Sequence, residues 1–224
     1  MLKLLRITKR ILDKIFGTKI NEVYWKFRHI FDSSWAESYI SKENIKHPHR
    51  EILIEKISAY RPFSKVLEIG CASAPNLYLL AKKFPETKFY GIDISKKAIE
   101  TGKHFLKKEN ISNIFLKASK AENILEFSDK SIDLIFTDAV LIYEDPKRIV
   151  PLIRNMIKVS KKAIILCEQH TESSQYYKDH WVHNYKKLFS KFVSKEKIKI
   201  TKIQSDVWSG DWGKLGYIIE IKLI

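Results

Sequence analysis

The run Val66-Leu67-Glu68-Ile69-Gly70-Cys71-Ala72-Ser73-Ala74-Pro75-Asn76 reads as a strand that closes into a loop of small residues and opens a helix. Small side chains let the backbone approach a ligand, and the first turn of a helix offers unpaired N–H groups to it. A second apolar run ends at Gly91-Ile92-Asp93. A carboxylate at such a strand end can accept hydrogen bonds from vicinal ribose hydroxyls. Together these features predict a site for an adenosine-containing cofactor without saying which one. Groups suited to proton transfer lie elsewhere. Cys167-Glu168-Gln169-His170 closes another apolar run, with His170 the candidate general base and Glu168 its rival. A histidine in such a place is more often a structural side chain than a base, and that reading stands beside the catalytic one for each. His180-Trp181-Val182-His183 is rich in aromatic and titratable groups, and His47 and His49 could fold over the same pocket. Trp208 and Trp212 either pack on an acceptor or cap a hairpin.

The elements that would position these residues follow from periodicity. Short apolar runs at Lys65–Ile69, Lys88–Ile92, Ile114–Leu116, Ile132–Phe136 and Ala163–Leu166 alternate with helical stretches at Asn76–Lys83, Lys96–Lys108, Ala121–Glu126 and Pro146–Val159. That alternation predicts parallel βαβ units in a doubly wound α/β sheet, with the ligand-binding loops along one edge. A helix is expected near Asp179–Phe192. Lys197–Ile203 and Tyr217–Leu223 then read as strands joined by too short a loop for a crossover helix. They should pair antiparallel, giving a seven-stranded, mostly parallel sheet that ends in a hairpin. Residues 1–60 read as an N-terminal helical extension, in which Trp35 and Tyr39 belong to a lid, and 61–224 as the main domain.

Composition narrows the setting. The 224 residues carry a formal net charge of +15, which either favours anionic partners or reflects a lysine-rich composition throughout. Two cysteines, Cys71 and Cys167, suit a reducing, cytoplasmic setting and lack metal-site spacing, so no metal is expected. No stretch approaches the roughly 20 apolar residues of a membrane span. Drawn as a helix, residues 1–17 gather Leu2, Leu5, Ile11, Leu12 and Ile15 opposite Lys3, Arg6, Arg10 and Lys14. Such a segment either lies on the anionic inner face of a membrane or packs on the protein.

The order VLEIGCxxxxN, then YGIDIS, then SIDLIFTDAVLIY resembles the class I S-adenosylmethionine-dependent methyltransferases from about Pro48 to the C-terminus. The resemblance implies a Rossmann-like fold and S-adenosyl-L-methionine as cofactor. By the same resemblance, Glu68, Gly70, Cys71, Ala72 and the loop to Asn76 hold its methionine part. Asp93 stands at the ribose, Ile94 beside it belongs to the cofactor site, Ser119 and Lys120 border the adenine, and Asp138 with Ala139 floors the methyl-transfer site. Alanine stands at 72 and 74, where the family usually has glycine, which leaves a non-catalytic cofactor-binding protein as one alternative. A nicotinamide dinucleotide site would need G-x-G-x-x-G, and only the first glycine is here. The turn Thr137-Asp138-Ala139-Val140 is unlike the Asn-Pro-Pro-Tyr turn of base N-methylating enzymes. The expectation is therefore O-methylation of a small polar acceptor, such as a sugar or lipid-linked glycan precursor, with RNA as the alternative.

Overall fold

The computed structural model describes residues 17–224, so the expectation for residues 1–16 lies outside the described part. Five parallel strands form as expected: Lys65–Ile69 (β1), Lys88–Asp93 (β2), Ile114–Ala118 (β3), Ile132–Asp138 (β4) and Ser160–Gln169 (β5). The last pair of strands, Ile198–Lys202 (β8) and Gly216–Lys222 (β9), is antiparallel, and β9 also runs antiparallel to β5. The sheet has seven strands in the order β3-β2-β1-β4-β5-β9-β8.

Both faces are covered, so strand residues alternate between two cores. Val66, Leu134, Phe136, Ala163, Ile165 and Ile218 enter one. That core is closed by helices Pro48–Ser58, Pro75–Lys83 and Lys96–Lys108, which are α4, α5 and α6 in chain order. Leu67, Ile69, Ile135, Ile164, Leu166 and Ile219 enter the other, against Ile149–Val159 (α7). The stripe Ile149, Leu152, Ile153, Met156 and Val159 of α7 is buried at helical spacing.

The N-terminal extension is helical but broken: Thr18–Phe31 (α1), Trp35–Ser38 (α2) and Lys42–Ile45 (α3) precede α4. Gly17, at φ 59°, starts α1 so close to Asp145 that a Cβ there would lie 2.5 Å from its Oδ2. This approach lets the Thr18 N–H and hydroxyl both donate to Asp145 Oδ2, at 3.0 and 2.9 Å.

The expected helix at Asp179–Phe192 is instead a small hairpin, Gln175–Tyr177 (β6) with His180–Val182 (β7), followed by the short helix Tyr185–Phe189 (α8). Tyr, Trp and Val favour strand, and Lys178, at φ 53°, turns the chain between them. The helix starts late because the Asn184 side chain accepts from Lys187 N at 2.8 Å. Residues 121–126 form a 3-10 turn where a helix is expected. The loop before β9 holds one further short helix, Asp211–Leu215 (α9).

Candidate active site

The C-terminal ends of β1, β2, β4 and β5 open onto one cavity of about 740 Å³, roofed by α1 and α2. Asp93 stitches its floor together. Its Oδ2 accepts from Ala72 N at 2.9 Å and its Oδ1 from Ser95 N at 2.8 Å, fixing the β1–α5 loop to the start of α6. A carboxylate has about four acceptor directions, so each oxygen keeps one to spare, and Asp93 lines the cavity.

The loop is strained. Ala72 and Ala74 sit at φ 45° and 66°, so the conformation that favours glycine is adopted by alanine, at about 1 kcal/mol or more each. Ala139, after β4, is a third alanine there, at φ 59°. Ala72 and Ala139 line the cavity, which is where such strain concentrates, while Ala74 is buried in the core behind the loop. Gly70, at φ 73°, is required as glycine, because a Cβ would come within 2.2 Å of Val140.

Behind the loop lies a buried polar cluster. Asp138 Oδ2 accepts from Asn76 Nδ2 at 3.0 Å and from Arg50 at 3.1 Å, and meets His49 Nε2 at 3.1 Å. Arg50, 4% exposed, also donates to Asn76 Oδ1 at 2.7 Å and to the Asn44 backbone and side-chain oxygens at 2.9 and 2.6 Å. Burial alone would raise the Asp138 carboxyl, but His49, Arg50 and Asn76 together hold it far below the usual range. Glu68 goes the other way: burial pushes it up to about 8, although Asn76 donates to its Oε1 at 2.7 Å. Glu68 Oε2 and Asp138 Oδ1 are buried without a hydrogen-bond partner. Of the two, Asp138 is ionised and lines the cavity, so it suits a cationic, proton-donating ligand.

From Asp138 the cluster continues outward. His49 Nδ1 lies 2.6 Å from His47 Nδ1, and His47 lines the cavity. His49 stacks on Trp208 at 4.0 Å between ring centres, and Trp208 stacks on Trp212 at 4.1 Å. Burial, and the nearby His49 and Arg50, lower the His47 pKa and favour the neutral ring. Gln169 and His180 also line the cavity, with Gln169 Oε1 2.7 Å from His180 Nε2.

The expected site residues divide accordingly. Gly70, Ala72, Asp93, Ile94, Ser119, Lys120 and Asp138 line the cavity, while Glu68 and Asn76 stand behind it. Cys71 turns into the core, where burial raises its thiol, and only its backbone joins the loop. His170 and Glu168 do not line the cavity. Side chains alternate along β5, so these two share the face that Gln169 does not. His170 Nδ1 accepts from Tyr185 N at 3.2 Å. Glu168 Oε1 accepts from Thr137, Val140 N and Leu141 N at 2.8 to 3.0 Å. Glu168 therefore caps the turn after β4, with its carboxyl pushed up to about 7 by burial. Arg50 was not foreseen; its only sequence signal is its place directly after His47-Pro48-His49.

The roof is held by charge. Glu22 of α1 pairs with Lys120 at 2.6 Å and with Arg148 at 2.7 Å, and Asn21 donates to the Tyr143 carbonyl at 3.1 Å. Trp25 packs edge-on to Tyr143 and against Trp35, which packs on Tyr39. Trp25, Trp35 and Tyr39 all line the cavity.

A family model described as a methyltransferase domain matches residues 62–222. The tRNA (guanine-N(7)-)-methyltransferase of Oceanobacillus iheyensis is 31% identical over 121 residues, 50% of this chain and 53% of that protein. An uncharacterized protein of Rickettsia prowazekii is 40% identical over 55 residues, 25% of this chain and 22% of that one. The chain thus spans about half or less of the length of these curated relatives. In fold, it is similar to magnesium protoporphyrin IX methyltransferase from Synechocystis PCC 6803, solved with bound S-adenosylmethionine. The TM-score is 0.63 at 14% identity, covering 92% of this chain and 96% of that one. With the family model covering most of its length, the chain belongs to the class I methyltransferases, whose cofactor is S-adenosylmethionine.

Proposed function

We propose that the chain methylates a hydroxyl of a small polar acceptor, a sugar or lipid-linked glycan precursor being the class that fits. The observation that carries this is the chain Asp138–His49–His47, which leads from a buried carboxylate to a histidine on the cavity wall. Asp93 would accept from the ribose hydroxyls, with Ile94 beside it in the cofactor site, and Ser119 and Lys120 would border the adenine. The ionised Asp138, which lines the cavity, suits the cationic methionine end. Bound there, the cofactor supplies a methyl group on a sulfonium, an electrophile that needs an in-line nucleophile.

The residues then handle the acceptor's proton. Asp138 accepts from His49 Nε2–H, which leaves His49 Nδ1 to accept from His47 Nδ1–H. A longer contact, 3.4 Å from His49 N to the same His47 nitrogen, would need that nitrogen as acceptor, and a neutral His49 whose proton faces Asp138 favours the donor form instead. His47 Nε2 is then unprotonated and can take the hydroxyl proton. The resulting positive charge is shared along the two rings and stabilised by Asp138. The stacked Trp208 and Trp212 offer an apolar wall for the acceptor's C–H face.

The test is a screen of hydroxyl, amine and RNA acceptors with methyl-labelled cofactor, following S-adenosylhomocysteine release. Turnover on sugar hydroxyls, lost in His47→Gln, supports the reading; turnover on amines alone ends it. A second reading, tRNA methylation, is favoured by the likeness to the Oceanobacillus tRNA enzyme and by the +15 charge. It expects tRNA binding that weakens steeply with salt.

A further inference from the structure

We infer that the outer face of α1 is a docking surface for an anionic lipid bilayer. Seven large hydrophobic side chains stand exposed among the described residues, and four of them are on this helix: Val23 (56%), Phe27 (41%), Ile30 (66%) and Phe31 (69%). At 100° per residue these four share one side. The opposite side carries Thr18, Asn21, Glu22 and Trp25, the residues that roof the cavity. The helix has therefore used its polar and Trp25 side on the protein and left an apolar side outward, the reverse of an ordinary surface helix.

Charge selects the occupant. Lys19 and Lys26 are exposed beside the apolar stripe, and Lys26 Nζ lies 5.6 Å from the Phe27 ring centre. Apolar residues flanked by lysines are what an interfacial helix presents to anionic headgroups. Directly before α1, residues 1–16 add Lys3, Arg6, Lys9, Arg10 and Lys14 among Leu2, Leu4, Leu5, Ile7, Ile11, Leu12, Ile15 and Phe16. A second copy of a +15 chain would bring like charges together on this face, whereas an anionic surface neutralises them. No helix among the described residues is long and apolar enough to cross a membrane, so the contact is peripheral. It would bring the cavity roof to the bilayer, where a lipid-linked acceptor resides. That consequence rests on the proposed methyl transfer, but lipid binding itself does not.

The test is co-sedimentation of the full chain with vesicles of phosphatidylcholine, with and without about one-third phosphatidylglycerol. The parent should bind the anionic vesicles, bind the zwitterionic ones weakly, and lose affinity as salt rises. Phe27→Ser/Ile30→Ser/Phe31→Ser should cut anionic-vesicle binding at least about tenfold while keeping the parent's thermal midpoint and S-adenosylhomocysteine affinity. Equal binding by this variant, or no binding by the parent, overturns the proposal. So does a dimer in sedimentation velocity that the variant converts to monomer, which would assign the face to a second copy. Slow maleimide labelling of Ile30→Cys in the free chain would overturn it too, by showing the face already covered by residues 1–16. The native Cys71 and Cys167 are buried and stay silent in that assay.

Discussion

Asp138→Asn should destabilise the protein far more than a surface charge change would. Oδ2 of Asp138 meets three groups at 3.0 to 3.1 Å, and among them Arg50 is 4% exposed. Asparagine keeps an acceptor oxygen for His49 and Asn76 but removes the only negative charge that the Arg50 guanidinium touches among the described residues. Leaving a buried charge without its partner costs about 3–5 kcal/mol, and the open cavity beside it argues for the lower end. For a chain of this length each kcal/mol moves the thermal midpoint about 2–4 °C, so the fall should be about 6–12 °C. Calorimetry at pH 7 measures it. The Asp138 carboxyl is depressed in the fold, so its stabilisation is present above the unfolded value near 3.8 and fades as pH falls below it. Parent and variant should therefore converge under acid. Arg50→Met in the same chain should recover part of the loss, with a coupling of about 1–3 kcal/mol. A fall under about 2 °C, with no coupling, would refute the buried ion pair.

Other perturbations probe other parts of the account. Glu168 and Glu68 are pushed from the unfolded value of 4.5 up to about 7 and about 8, so each penalises the fold progressively as pH rises from 4.5 to those values and adds no slope above them. Above about pH 5 the midpoint should decline until about pH 8, and Glu168→Gln, which keeps an acceptor for its three donors, should flatten the part of that decline below about pH 7. Ala72→Gly should raise stability by about 0.5–1 kcal/mol, because relief of left-handed strain exceeds the added chain entropy. Ala74→Gly should be near neutral, since it also loses a fully buried methyl worth about 0.8 kcal/mol; urea unfolding separates the two. Glu22→Ala removes two ion pairs from the roof and should weaken S-adenosylhomocysteine binding several-fold, with about 1 kcal/mol or less of stability. His47→Gln should lower the rate about 10²–10⁴-fold on a hydroxyl acceptor and abolish the acid limb of its pH profile.

What the sequence disclosed follows from what sets each feature. Parallel strands buried on both faces must be apolar runs, so β1 to β5 are legible, and so is Asp93, which closes the second of those runs. Features set by single-residue register were not. Glu168, Gln169 and His170 all end β5, yet only Gln169 faces the cavity, and a period of two decides which. β6 and β7 are three residues each, too short for any period to show, and their aromatic residues read as readily as helix. Arg50 depends on Asn44, Asn76 and Asp138 converging from three separate elements, and the roof depends on Thr18 meeting Asp145. Contacts so far apart in the chain leave no local pattern.

The central claim is that the β1–α5 loop and Asp93 form an S-adenosylmethionine site despite alanine at positions 72 and 74. Calorimetric titration of S-adenosylhomocysteine into the full chain, beside Asp93→Ala, tests it most directly. The parent should show saturable one-site binding, weakened at least about a hundredfold in Asp93→Ala, as expected when charge-assisted hydrogen bonds are lost from a buried site. No binding by the parent, or equal binding by the variant, would contradict it.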